Sequence, residues 1–116
     1  MSARAGSRST QACMVVTTCG DEASARTIAR ALVEDRLAAC VQMLPISSVY
    51  SWRGEVREEG EVLLLIKARS ADWPALEKTL RAAHSYEVPE ILRFDAAAGH
   101  AAYLDWIAQA TSKAQR

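Results

Sequence analysis

The 116-residue sequence predicts an α+β fold, a split βαβ plait of the ferredoxin-like kind with a long β-hairpin and an extra C-terminal helix. Three observations carry that reading. Short aliphatic or β-branched runs recur at residues 13–18, 38–46, 62–66 and 90–95, each bounded by glycine, proline or charge. Between the first and second runs, and again between the third and fourth, apolar residues return at helical spacing. Two aromatics, Tyr50 and Trp52, alternate at period two just before Gly54, as they would on one face of a strand leading into a turn.

Taken in order, Cys13 to Thr18 reads as a short buried strand stopped at Gly20. Asp21 is placed to cap the next helix, with Glu22 in its first turn. Ala25, Ile28, Ala29, Leu32, Val33 and Leu37 share one face of it, and Glu22 with Arg26 and Arg30 with Glu34 form four-residue charge pairs on the other. The second strand, 38–46, contains Pro45, which predicts a bulge or change of direction, with 47–53 as a separate or offset segment. Residues 54–60 read as a charged turn region, and 62–66 as a strand covered on both faces. Ser70 or Asp72 is expected to cap the second helix, with Pro74 in its first turn and Trp73, Leu76, Leu80 and Ala83 as its buried stripe. Pro89 leads into the strand 90–95, and Gly99 precedes a last helix with Tyr103, Leu104, Ile107 and Ala108 on one face.

Half of the residues are apolar, which suits one folded domain, here residues 12–112, behind a loose Ser/Ala/Gly-rich tail at 1–11. Formal net charge is zero, so the basic footprint of a nucleic-acid binder is missing. No run has the length of a membrane span or the pattern of a signal peptide, so a soluble cytoplasmic protein without a membrane partner is expected. Three cysteines without paired spacing point to reduced thiols. A projecting hairpin that carries Tyr50 and Trp52 is marginal in water, so an obligate oligomer with these aromatics at its interface is expected.

Cys40, in an apolar strand, is either a small core side chain or a thiolate ligand for a soft or borderline ion. Cys19 precedes a glycine and a helix N-terminus, whose dipole lowers a thiol pKa, so it is the expected reactive thiol unless it is a plain loop cysteine. His84 ends the second helix beside Tyr86, Glu87 and Glu90. It reads either as a charge complement to the helix dipole or as part of a polar cleft. Glu61 and Lys67 flank the apolar strand as ligands or as an intersubunit ion pair, and Glu58, Glu59 and Glu61 make a short acidic cluster. No nucleophile elbow, phosphate-binding glycine loop or paired CxxC is present, which speaks against an enzyme.

Several stretches then match a known family in register. These are Thr18-Cys19 with Asp21-Glu22-Ala23, the run Arg36-Leu37-Ala38-Ala39-Cys40-Val41, and Ser48-Val49-Tyr50-Ser51-Trp52-Arg53-Gly54. Glu61, Ile66-Lys67, His84-Ser85-Tyr86-Glu87-Val88-Pro89-Glu90-Ile91 and Tyr103-Leu104-Asp105-Trp106-Ile107 complete the set. From about residue 15 to 107 the chain resembles the CutA family of divalent-cation-tolerance proteins. The resemblance implies a homotrimer of ferredoxin-like subunits, similar in plan to the PII signalling proteins, and a link to tolerance of copper and other divalent cations without an established enzymatic reaction. It implies Cys40 and His84, with Cys19 third, as metal ligands at a subunit cleft, and copper or another divalent cation as the bound ion. The expected function is copper-type divalent metal binding in metal homeostasis. The alternative is a PII-like trimeric signalling or scaffold protein whose intersubunit clefts bind a small ligand or a protein partner.

Overall fold

The structure is a computed structural model and describes residues 11–113; the expected tail lies outside the described residues but for Gln11. Strand β1 (Ala12–Cys19) leads to helix α1 (Glu22–Glu34), and strands β2 (Cys40–Trp52) and β3 (Glu55–Arg69) form a long hairpin. A 3-10 turn (Ser70–Asp72) opens helix α2 (Trp73–Ala83), followed by strand β4 (Ile91–Asp95) and helix α3 (Ala101–Ala110). All neighbours in the sheet are antiparallel, in the order β2-β3-β1-β4. The predicted α+β plait with its hairpin and extra helix is therefore the architecture observed.

Asp21 caps α1 by accepting the Ser24 backbone N–H at 2.7 Å, and this bond lowers its carboxyl pKa. Both predicted charge pairs form, Arg26–Glu22 at 2.7 Å and Arg30–Glu34 at 3.5 Å. The helix ends in a Schellman motif: Leu37 N–H reaches the Leu32 carbonyl, Arg36 N–H reaches that of Val33, and Arg36 sits at φ 59°. Because the chain reverses there, Val33 is 41% exposed rather than part of the buried face, and Leu37 packs from beyond the helix. At α2 neither Ser70 nor Asp72 caps through its side chain. Asp72 pairs instead with Arg69, and Ser70 donates to Asp95 at 2.8 Å. Leu76 and Leu80 are buried, Trp73 partly so, and Ala83 is exposed.

One face of the sheet packs under α1 and α2, where Val15, Leu64, Ile66, Leu32, Leu76 and Leu80 make the core. On the residues of β3 between them, Leu63 and Leu65 point the other way and are half-buried. Helix α3 packs on β1 and β3, and its buried Ile107 stands apart from the core under α1 and α2.

The hairpin departs most from expectation. Pro45 causes no bulge: β2 is one strand in unbroken register with β3, Pro45 opposite Val62. As an edge strand β2 has every second N–H directed away from β3, and a proline at such a position removes no ladder bond. Nor is 54–60 a turn. Trp52 pairs with Glu55, so only Arg53 and Gly54 turn the chain, with φ 52° and 80°, the both-positive signature of a type I′ hairpin. β1 pairs with β3 only from Ala12–Arg69 to Cys19–Val62, so the ribbon from Ile46–Glu61 to Trp52–Glu55 projects past the sheet, and the described chain extends 53 × 28 × 22 Å.

A Cβ on Gly54 would meet nothing within 4 Å, so its backbone angle alone opposes substitution. Gly54→Ala is expected to cost about 1–2 kcal/mol. Gly60→Ala, whose Cβ would sit 4.0 Å from the Ile46 carbonyl in ordinary extended backbone, should stay within about 0.5 kcal/mol. Urea midpoints at equal protein concentration separate the two, and equal losses would contradict the turn assignment.

Candidate functional site

Where β1 stops at Cys19, the β3 residues beyond Val62 lose their neighbour, and the segment 84–90 between α2 and β4 covers that side. His84 anchors it. Its Nε2 lies 2.5 Å from the Thr18 carbonyl, and its Nδ1 accepts the Tyr86 backbone N–H at 3.3 Å, a pattern that fits the tautomer with its proton on Nε2. The two rings sit 4.7 Å apart. Tyr86 donates its hydroxyl to Glu61 Oε2 at 2.9 Å, and Glu87 pairs at 2.8 Å with Arg53 at the hairpin tip. Burial, then the bond to Glu61 and that carboxylate's charge, push the Tyr86 phenol well above its ordinary range.

Between this segment and the hairpin lies a groove of about 620 Å³. Cross-strand partners share a face, so Ser48 with Glu59, Tyr50 with Arg57, and Trp52 with Glu55 stand on the groove side, followed by Glu61. Tyr50 donates to Glu59 Oε1 at 2.6 Å, a bond that raises the phenol's pKa, and Arg53 lies over the Trp52 ring at 5.2 Å. Glu59, Glu61, Glu87 and Glu90 all line the groove, whereas its arginine, Arg57, leans toward Glu55 at 3.7 Å. The aromatics expected at a subunit interface thus also form a groove wall. The opposite side of the ribbon carries the more exposed apolar residues, Val49 at 65% and Val56 at 81%.

The residues predicted for the site divide. Glu61, Tyr86, Glu87 and Glu90 share the groove. Lys67 does not: six residues along β3 from Glu61, hence roughly 20 Å away, it donates to Gln42 at 2.8 Å. Cys40 pairs with Lys67 at that same far end, while His84 binds Thr18, whose partner on β3 is Leu63. Four residues of strand separate those positions, about 13 Å, so within one chain Cys40 and His84 do not meet. Cys19 is buried in the core under the helices, and desolvation, then the charges of Asp21 and Glu61, raise its thiol pKa. Burial reverses the lowering expected from the helix N-terminus. All three cysteines are free, and among the described residues no three His, Cys, Asp or Glu side chains converge as a metal cage. Sequence reasoning missed the groove position of Thr18 and the Arg53–Glu87 pair; a two-residue turn at Arg53-Gly54 would have put Glu59, opposite Ser48, and Glu61, opposite Ile46, on the same face of the ribbon as Tyr50 and Trp52.

The fold and these motifs have relatives. A family profile described as CutA1 divalent ion tolerance protein matches residues 13–110. The chain belongs to the CutA1 family. The divalent-cation tolerance protein CutA of Thermus thermophilus is 48% identical over 99 residues, covering 84% of this chain and 96% of that one. Protein CutA of Mus musculus is 46% identical over 95 residues, covering 81% of this chain and 54% of the mouse protein. The solved structure of the Thermus thermophilus divalent cation tolerance protein superposes with a TM-score of 0.84 at 46% identity, covering 87% of this chain and 99% of that one. The family name ties these CutA1 chains to divalent-ion tolerance, and no reaction is part of it.

Since folding favours the protonated Tyr86, its contribution to stability is complete below pH 10 and is lost as pH rises above the ordinary tyrosine value, where the unfolded chain ionises first. Tyr86→Phe is expected to flatten the decline in stability between pH 9 and 11 and to speed amide exchange across 84–90. Parallel pH profiles for the two proteins would count against the Tyr86–Glu61 bond.

Proposed function

We propose that this CutA1 chain acts as a homotrimer in divalent-cation tolerance, by binding rather than turnover, with the carboxylate groove as its cation site. The observation that carries the reading is that Glu59, Glu61, Glu87 and Glu90 line one groove in which, among the described residues, only Glu87 is paired with an arginine, Arg53, while the lining Arg57 leans toward Glu55. Their field concentrates divalent cations. Oxygen donors spread along a groove, rather than gathered in a cage, suit an ion that keeps part of its water shell. Copper enters as one such divalent ion, bound through oxygen; a Cys40–His84 site would require the two residues to come from different copies. The trimer is supported by the ribbon itself, which projects past the sheet with Val49 and Val56 exposed and leaves the β2 edge unpaired. A cytoplasmic location is part of the same proposal; among the described residues no helix is long and apolar enough to cross a membrane.

A second reading, a trimer that binds a small ligand as the PII proteins do, is favoured by the groove's size, which falls in the usual range of small-molecule sites.

Titration of the reduced protein with Cu²⁺, Zn²⁺ and Mn²⁺ is expected to show saturable uptake that weakens at least tenfold in Glu59→Gln/Glu61→Gln and persists in Cys40→Ser. Loss with Cys40→Ser and retention in the double variant would move the site to the thiol. Sedimentation at micromolar concentration should give a trimer, and Val49→Glu/Val56→Glu should dissociate it; a folded wild-type monomer would refute the assembly.

A further inference from the structure

Beyond an inorganic cation, the groove has the features of a site for an extended organic one. Its carboxylates are spaced rather than gathered. Glu59 and Glu61 are two residues apart on one strand face, hence about 7 Å, and Glu87 and Glu90 stand on the opposing segment. Two of them are held in place from one side only: Tyr50 occupies Glu59 Oε1 and Tyr86 occupies Glu61 Oε2, which leaves the second oxygen of each carboxylate to accept from a ligand. The aromatic walls, Tyr50, Trp52 and Tyr86, offer ring faces to methylene chains and to ammonium charge.

An independent observation concerns Thr18. It lines the groove although it is only 3% exposed; its carbonyl is taken by His84, while its hydroxyl makes no hydrogen bond among the described residues. Because Thr18 lines the groove, its unbonded hydroxyl is an open position for a ligand N–H there. A bare metal ion does not match this set, since its ligands must close to within about 2.0–2.6 Å of one point, and among the described residues no such convergence exists.

We propose that the groove binds a linear aliphatic polyamine, its ammonium groups on the free oxygens of Glu59 and Glu61 and on Glu90, its methylenes against Trp52 and Tyr50, and one N–H on the Thr18 hydroxyl. The inference rests on the groove being a cation site. It goes further by assigning spaced charges and an apolar middle to the preferred occupant.

Spermidine is the probe, titrated into the intact protein in chelator-containing, metal-free buffer and followed by calorimetry and Trp fluorescence. Saturable binding is expected, weakened at least tenfold in Glu59→Gln/Glu61→Gln and several-fold in Thr18→Val, whose side chain keeps the shape without the hydroxyl. Magnesium at matched ionic strength should displace spermidine only weakly. Absence of saturable binding, or equal affinity for wild type and the double variant, overturns the proposal. If Mn²⁺ uptake depends on Glu59 and Glu61 while spermidine does not bind, the polyamine assignment fails and the groove as a cation site stands. If spermidine binds through these residues and metals do not, the polyamine assignment holds and the metal reading falls.

Discussion

The features around the groove depend on one mismatch of strand length. β1 ends at Cys19 opposite Val62, while β2 and β3 continue together to a two-residue turn. That difference leaves the β3 flank without a strand neighbour and both faces of the ribbon outside the chain's own core. The flank is closed by the 84–90 segment, and it is closed with polar groups. His84 spends both ring nitrogens on the chain itself, one at the Thr18 carbonyl and one at the Tyr86 N–H. The groove is the space left between that cover and the ribbon.

Two consequences follow for the chemistry. The imidazole that the family resemblance marks as a metal ligand serves inside one chain as a fastener, so recruiting it to an ion would release the segment that forms a groove wall. The thiol at the strand end, Cys19, faces the apolar core beneath the helices and is held protonated by burial and by neighbouring carboxylates. Soft ligands are therefore withheld from the groove, and the donors exposed to it are oxygens. That division makes the site's preference a matter of charge spacing more than of ligand softness.

The element order, the Asp21 cap, both α1 charge pairs and the projecting hairpin were legible because each rests on local periodicity or on a residue's own hydrogen-bonding reach. Pro45 misled because its tolerance depends on strand order, and order is a property of the whole sheet: at a central strand it would have forced the expected break. Residues 54–60 looked like a turn because charge usually means solvent and solvent usually means loop; a ribbon beyond the sheet carries charge and is still hydrogen-bonded. The site was half visible. Tyr86, Glu87 and Glu90 stood out as polar residues near a helix end and Glu61 as a charge flanking the apolar strand, but Cys40 and His84 lie far apart along the strands, a distance that residue type does not encode. Thr18 stood out only within the family-like Thr18-Cys19 stretch, since its place at the groove comes from where β1 ends against the 84–90 segment.

The unbroken β2–β3 register also limits how this hairpin can change over time. Adding or removing a single residue in either strand would invert the facing of all that follows, exchanging Tyr50, Trp52 and Glu59 with Val49, Val56 and Glu58. The groove and the apolar back of the ribbon would trade places in one step. Length variation that preserves both surfaces must arrive as matched two-residue insertions in the paired strands, or else be confined to the tip. The ribbon is in effect a ruler graduated in steps of two, and a natural variant with an odd step is expected to have lost both surfaces together.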